Sequence, residues 1–182
     1  MQKIMFSDKF GLTKAVLEGR KTMTRRICSK GAAMEALEFD NWSWAKYHIG
    51  EVVAVAQSYH ALNKAGFVAP EWCEHTCEDS PGYENKMFVR ADLMPHQIRI
   101  TNVRVERLQD ISDEDCLHEG IIDLAPEYKK KHGTIESHYC FGESFKFQTP
   151  RLAFSALINA LNGRGTWERN EWQFAYTFRL IK

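Results

Sequence analysis

The sequence predicts an α+β domain in which five or six short strands build a small curved barrel, with about three helices at its margins. Three features carry that reading. His96 to Leu108 alternates apolar and polar residues over a long run, the pattern of a half-buried strand. Trp172, Phe174, Tyr176, Phe178 and Leu180 alternate with mostly polar residues and predict a last strand with one aromatic face. Between these runs, Thr149-Pro150 places a capping residue before a proline at the first helical position. Leu152, Ala153, Ala156, Leu157, Ala160 and Leu161 then recur at helical spacing.

The remaining elements follow in order. Lys3 to Phe6 reads as a short strand. Ser7 is a candidate cap for a helix over 8–18, which Gly19 ends. Lys21 to Ile27 reads as extended, with β-branched threonines. Alternation on an ideal strand sends Lys21 and Thr24 to opposite faces, so they converge only if the chain bends at the helix exit. Residues 28–49 read as irregular, with Trp42, Trp44 and Tyr47 as plugs. Glu51 to Tyr59 is a valine-rich strand after Gly50, and Met87 to Ala91 another. Within His96 to Leu108 the apolar phase shifts from Ile98 and Ile100 to Val103 and Val105. A one-residue phase change predicts a bulge near Thr101-Asn102. Ser112 opens a helix in S-x-x-D form and Gly120 closes it; Asn162-Gly163 ends the last helix. Variable insertions are expected at about 60–86 and 122–148, with Lys129-Lys130-Lys131 on a solvated face.

A chain of 182 residues fits one domain over 1–182 and is long enough for a real core. Apolar residues make up 44% and charged residues 26%, as in a water-soluble globular domain. Lys and Arg number 24, and so do Asp and Glu. That balance argues against coating nucleic acid by bulk charge and leaves room for a local basic cleft. No apolar stretch approaches the roughly 20 residues a membrane span needs. Met1 to Ser7 carries too short an apolar run for a signal peptide. Five cysteines, an odd number, predict reduced thiols and a cytoplasmic protein.

One short segment stands out. Gly19-Arg20-Lys21-Thr22-Met23-Thr24-Arg25-Arg26 follows the first helix, and no acid appears between Glu18 and Glu35 to neutralise it. Guanidinium groups clamp phosphates and carboxylates, so Arg20, Arg25 and Arg26, with Arg99 from the central strand, are candidate nucleic-acid or anion-binding residues. Neighbouring cations favour the neutral form of Lys21, and a lysine that sheds its proton can serve as a base. Glu119 falls at the last position of its helix, where the dipole disfavours a carboxylate. Either it is solvated or a cation such as Lys21 holds it.

The run L-E-G-R-K-T-M-T-R-R resembles the ASCH domains, a branch of the PUA-like superfamily that often carries G-R-K-T-x-T-x-R after its first helix. Met94 to Ile121 resembles their central strand and following helix. Thr149 to Ile181 resembles their C-terminal helix, loop and last strand. The resemblance implies a PUA-like barrel. Some small ASCH proteins with the G-R-K-T-x-T motif are amidohydrolases that deacetylate N4-acetylcytidine. Carried over, their catalytic lysine, threonine and glutamate match Lys21, Thr24 and Glu119. Where larger members read N-P-W, this chain has Asn170-Glu171-Trp172, so a rigid turn is lost and a charge gained.

ASCH domains are also suspected RNA binders, and single-stranded RNA needs cations for its backbone and flat side chains for its bases. Arg20, Arg25, Arg26, Arg99 and Arg104, with Trp44, Tyr59 and Trp172, are the candidates. Cys73, His75, Cys77, His138 and Cys140 lack the common C-x₂-C spacing of zinc sites, so no metal is expected, and no other cofactor. The chain has no phosphate-binding glycine loop, G-x-S-x-G or H-E-x-x-H. The expected function is an ASCH-type domain that binds RNA or a modified nucleoside in a basic cleft. The alternative is an amidohydrolase of an acylated base using Lys21, Thr24 and Glu119. A purely structural or protein-binding role ranks third.

Overall fold

β4 (Gln97–Arg107) and β7 (Trp172–Leu180) form the antiparallel centre of a five-stranded sheet in the computed structural model, which describes residues 1–67, 78–125, 138–142 and 146–181. β3 (Val52–Val55) flanks β4, and β1 (Gln2–Ile4) adds to β3 in parallel. β2 (Met23–Ile27) flanks β7 on the other side, giving the order β1-β3-β4-β7-β2. The register shifts between Ile100 and Asn102, where the apolar phase changes; Ile98, Ile100 and Val103 are all buried. Phe174, Tyr176 and Phe178 bury the aromatic face of β7 in the main core beside Ile4, Val53 and Val55.

The helices depart from expectation in number and place. α1 (Leu12–Leu17) starts later than the 8–18 reading. Gly11, left-handed at φ 66°, precedes it, while the Ser7 carbonyl accepts from Leu12 N. Residues 28–49 are not all irregular. The Ser29 hydroxyl accepts from Ala32 N and opens α2 (Lys30–Phe39), whose Ala32, Ala33 and Ala36 are buried. Small side chains gave that helix a weak apolar stripe, which hid it in the sequence. Ser58 caps α3 (Tyr59–Lys64) and cuts β3 short of the predicted span. Met87 to Ala91 is not a strand. Asn85 caps a 3₁₀ turn at Lys86–Phe88, and a second follows at Ala91–Leu93.

Ser112 caps α4 (Asp113–His118) by accepting from Asp115 N, as its S-x-x-D form predicts. β5 (Ile122–Asp123) and β6 (Tyr139–Cys140) make a small separate sheet within the second predicted insertion. Thr149 accepts from Leu152 N and starts α5 (Pro150–Asn162), and α6 (Thr166–Arg169) leads into β7.

The sheet is not closed into the expected barrel by backbone pairing among the described residues. β1 is only three residues long and pairs only with β3, which leaves its other edge open. The edges still come close. Arg26 of β2 donates to the Met5 carbonyl, just after β1, at 3.0 Å. The unclosed seam between Met5–Ser7 and β2 is where the cleft lies. No helix among the described residues is long and apolar enough to cross a membrane.

Candidate active site

The bend that Lys21 and Thr24 need is built at the exit of α1. Gly19 takes φ 73°, and the amides of Arg20 and Lys21 both donate to the Ala15 carbonyl. Thr22 is then fixed from both sides: its amide donates to the His118 carbonyl, and its own carbonyl accepts from Phe178 N. The strand begins only at Met23, so strict alternation does not apply to Lys21. Lys21 and Thr24 therefore line the same cleft.

Lys21 is buried and meets Glu119 twice. Its Nζ donates to Glu119 Oε2 at 2.6 Å and to the Glu119 carbonyl at 2.7 Å. Gly120, next in the chain, adopts φ 102°, and a Cβ there would press on Leu12 Cδ2 at 3.1 Å. Burial lowers the pKa of Lys21 from its ordinary 10.5; Arg26 and Arg25 push the same way, and Glu119 opposes them. Lys21 Nζ also lies 5.7 Å from the centre of the Phe6 ring.

Glu119 is held from its other oxygen. Arg25 Nη1 donates to Glu119 Oε1 at 3.1 Å, Arg25 Nε to Glu106 Oε1 at 2.8 Å and Arg25 Nη2 to Asp115 Oδ2 at 2.9 Å. Arg104 donates to Asp115 as well. Lys21, Arg25 and Arg104 thus oppose Glu106, Asp115 and Glu119, and the cluster is formally neutral. Its carboxylates raise the pKa of Arg25 despite burial, so this guanidinium stays charged. Glu106 and Asp115 escaped the sequence reading. Their only signals are the alternation of acid and base in Arg104-Val105-Glu106-Arg107 and the acidic first turn of α4.

The cleft has a volume of about 230 Å³ and runs along the β2 edge. Phe6 and Ser7 line it, as do Phe154, Leu157 and Ile158 of α5. Thr24 Oγ1 makes no hydrogen bond among the described residues, although the residue is only 3% exposed. Gln173 of β7 also lines the cleft, and sequence reasoning missed it. It looked like one more polar residue alternating with aromatics.

The chain is similar to an ASCH domain. That solved structure, from Lactobacillus crispatus JV V101, is 12% identical with a TM-score of 0.40, covering 96% of this chain and 75% of that one. A protein of Enterococcus faecalis V583 assigned to DUF984 is 13% identical with a TM-score of 0.41, covering 100% of this chain and 77% of that one. No family model matches the chain, and no curated protein does.

The other sequence candidates scatter. Arg26 lines the cleft, but Arg20 and Arg99 do not. Arg20 pairs with Glu18 at 2.6 Å, and Arg99 donates to the Gly50 carbonyl at 3.0 Å. Arg25 is no free anion clamp, because its side chain is 1% exposed and bonded to carboxylates. Among the aromatic candidates Trp44 is exposed, Tyr59 is buried, and Trp172 is half-buried with the Arg107 guanidinium 4.4 Å from its ring centre. Cys73, His75 and Cys77 lie outside the described residues. Among those described, no group of three His, Cys, Asp or Glu side chains is placed to hold a metal ion.

Proposed function

We propose that the cleft hydrolyses the amide of a small acylated amine, of the N4-acetylcytidine class, by acyl transfer through Thr24. One observation carries this reading. A buried lysine, bonded to a buried carboxylate, shares a small cleft with a threonine hydroxyl that has no partner among the described residues. A nucleophile, a base and a residue that orients the base are the parts covalent catalysis requires. The motif resemblance points to the same three residues.

The steps follow from the groups present. Neutral Lys21 takes the Thr24 proton as Oγ1 attacks the amide carbonyl. The tetrahedral adduct collapses with cleavage of the C–N bond. The lysine proton passes to the leaving nitrogen, which departs as the free amine. Water then attacks the threonine ester, Lys21 takes its proton, and the carboxylic acid leaves as Thr24 recovers its hydrogen. Glu119 holds the Lys21 amine in place, and Arg25 holds Glu119. The Arg26 guanidinium lines the cleft and supplies positive field for the oxyanion.

An RNA strand is a weaker reading. Arg20, Arg25 and Arg104 are paired with acids of the chain, and Tyr59 is buried. A cleft of about 230 Å³ suits a base or nucleoside. The test is to incubate the protein with N4-acetylcytidine and follow the release of cytidine and acetate. No turnover of N4-acetylcytidine or related acyl-nucleosides overturns the reading.

A further inference from the structure

Gln173 lies on β7, opposite Ile27 of β2 and Glu106 of β4, and it lines the cleft. It is 1% exposed, and its amide nitrogen has no hydrogen-bond partner among the described residues. A buried amide donor left unpaired is costly, and native proteins rarely keep one without a reason. Leu157 and Ile158 line the same cleft, so an apolar side chain at this position would find apolar company there. Among the described residues Trp172 Nε1 and His138 Nδ1 are also buried without partners, and neither residue lines the cleft, whereas the Thr24 hydroxyl there is the nucleophile proposed above. Gln173 thus brings to the cleft an unpaired amide donor that a ligand can satisfy.

We propose that Gln173 selects the ligand. Its carboxamide pairs with an exocyclic N–H lying beside a ring-nitrogen acceptor. An acylated aminopyrimidine presents that edge, whereas an acylated alkylamine or aniline lacks the ring acceptor. The carboxamide offers donors at one end and an acceptor at the other, and a half-turn exchanges them. The same two-point pairing lets glutamine read the amino and ring-nitrogen edge of adenine. A buried carboxamide discriminates well, because the wrong ligand leaves the amide unpaired. This rests on the amide-hydrolysis reading for the identity of the reacting bond, and it adds which amides are accepted.

The test compares wild type with Gln173→Leu and Gln173→Met on two amides. N4-acetylcytidine has the ring nitrogen; acetanilide carries the same acetamide on a ring without one. Three quantities are measured in the full chain. They are kcat/KM on each amide, the Kd of N4-acetylcytidine by calorimetry in a Thr24→Ala background, and the melting temperature. Both substitutions should lower kcat/KM for N4-acetylcytidine about 10- to 100-fold, mainly through KM, and lower that for acetanilide, which offers the N–H without the ring acceptor, by less. The melting temperature should rise, because the unpaired amide is gone; a merely structural glutamine would give a fall. Equal losses on both amides, or an unchanged preference between them, overturns the proposal. If the wild type hydrolyses neither amide yet binds N4-acetylcytidine, the hydrolase reading fails and Gln173 is judged on Kd. A weakening of about tenfold or more keeps it, and no change overturns it. If the wild type neither binds nor hydrolyses, both readings fall. Gln173→Met provides the comparison if the leucine variant does not fold.

Discussion

Lys21 Nζ donates to both the side chain and the main-chain carbonyl of Glu119, a residue 98 positions further along the chain. Two acceptors from one residue fix the ammonium direction more tightly than an ion pair alone. The contact also ties the N-terminal basic motif to the end of α4, so the cleft exists only when β2, β4 and α4 are assembled.

Lys21 should set the pH profile. Its pKa is lowered from 10.5 chiefly by burial, so kcat/KM should rise with pH through a midpoint below that value. The same shift fixes a stability trend. Between the folded and unfolded pKa values the unfolded chain holds the extra proton, so Lys21's contribution to stability rises with pH across that window. Rate measurements from neutral to alkaline pH check the first point. A flat profile excludes Lys21 as the base.

Lys21→Ala, Thr24→Ala and Glu119→Ala should each lower kcat by roughly a thousandfold or more, and the double variants should lose little beyond the singles. Thr24→Ser keeps a hydroxyl and should retain partial activity. Single-turnover kinetics on N4-acetylcytidine separate these cases. A Thr24→Ala protein as active as wild type removes the nucleophile assignment.

Arg25→Ala should destabilise the fold by about 3–5 kcal/mol, because it strands Glu106, Asp115 and Glu119 without their common partner. Arg26→Ala, at the cleft rim, should change stability by no more than about 0.5 kcal/mol. Urea unfolding of the two variants tests the contrast. Equal midpoints would mean that the buried cluster contributes nothing to the fold.

Gly120→Ala should cost about 1–3 kcal/mol, since φ 102° strains any side chain and a Cβ would press on Leu12 Cδ2 at 3.1 Å. Activity should fall more than stability alone explains, because relief of the strain at Gly120 moves the adjacent Glu119 carbonyl to which Lys21 donates. Turnover measured well below the melting temperature separates the two effects.

The legible parts of the fold were those with local causes. Thr149-Pro150 and Ser112 cap helices through contacts three residues away, and the bulge near Asn102 shows as a phase change within one strand. α2 was missed because its buried face is built of Ala32, Ala33 and Ala36. Lys21, Thr24 and Glu119 stood out through motif resemblance, and the structure brings them to one cleft. The role of Arg25 was illegible for a physical reason. Its basic neighbours in sequence suggested an anion clamp, whereas its carboxylate partners lie 81, 90 and 94 residues away. Gln173 was hidden because only the packing around it shows that its amide nitrogen lacks a partner.

The open seam bears on self-association. A strand edge without a partner invites another chain to add to it, and cationic side chains on the edge discourage that. Here the Met5 carbonyl already accepts from Arg26, and the Phe6 carbonyl from Lys86. Loss of both cations would strip the Met5 carbonyl of its side-chain donor at the cleft and leave the Phe6 carbonyl with its bond from Thr13 Oγ1. The double variant Arg26→Ala with Lys86→Ala should therefore aggregate by edge pairing while the wild type stays dispersed, so a cation that lines the ligand's doorway also keeps neighbouring copies of the chain apart.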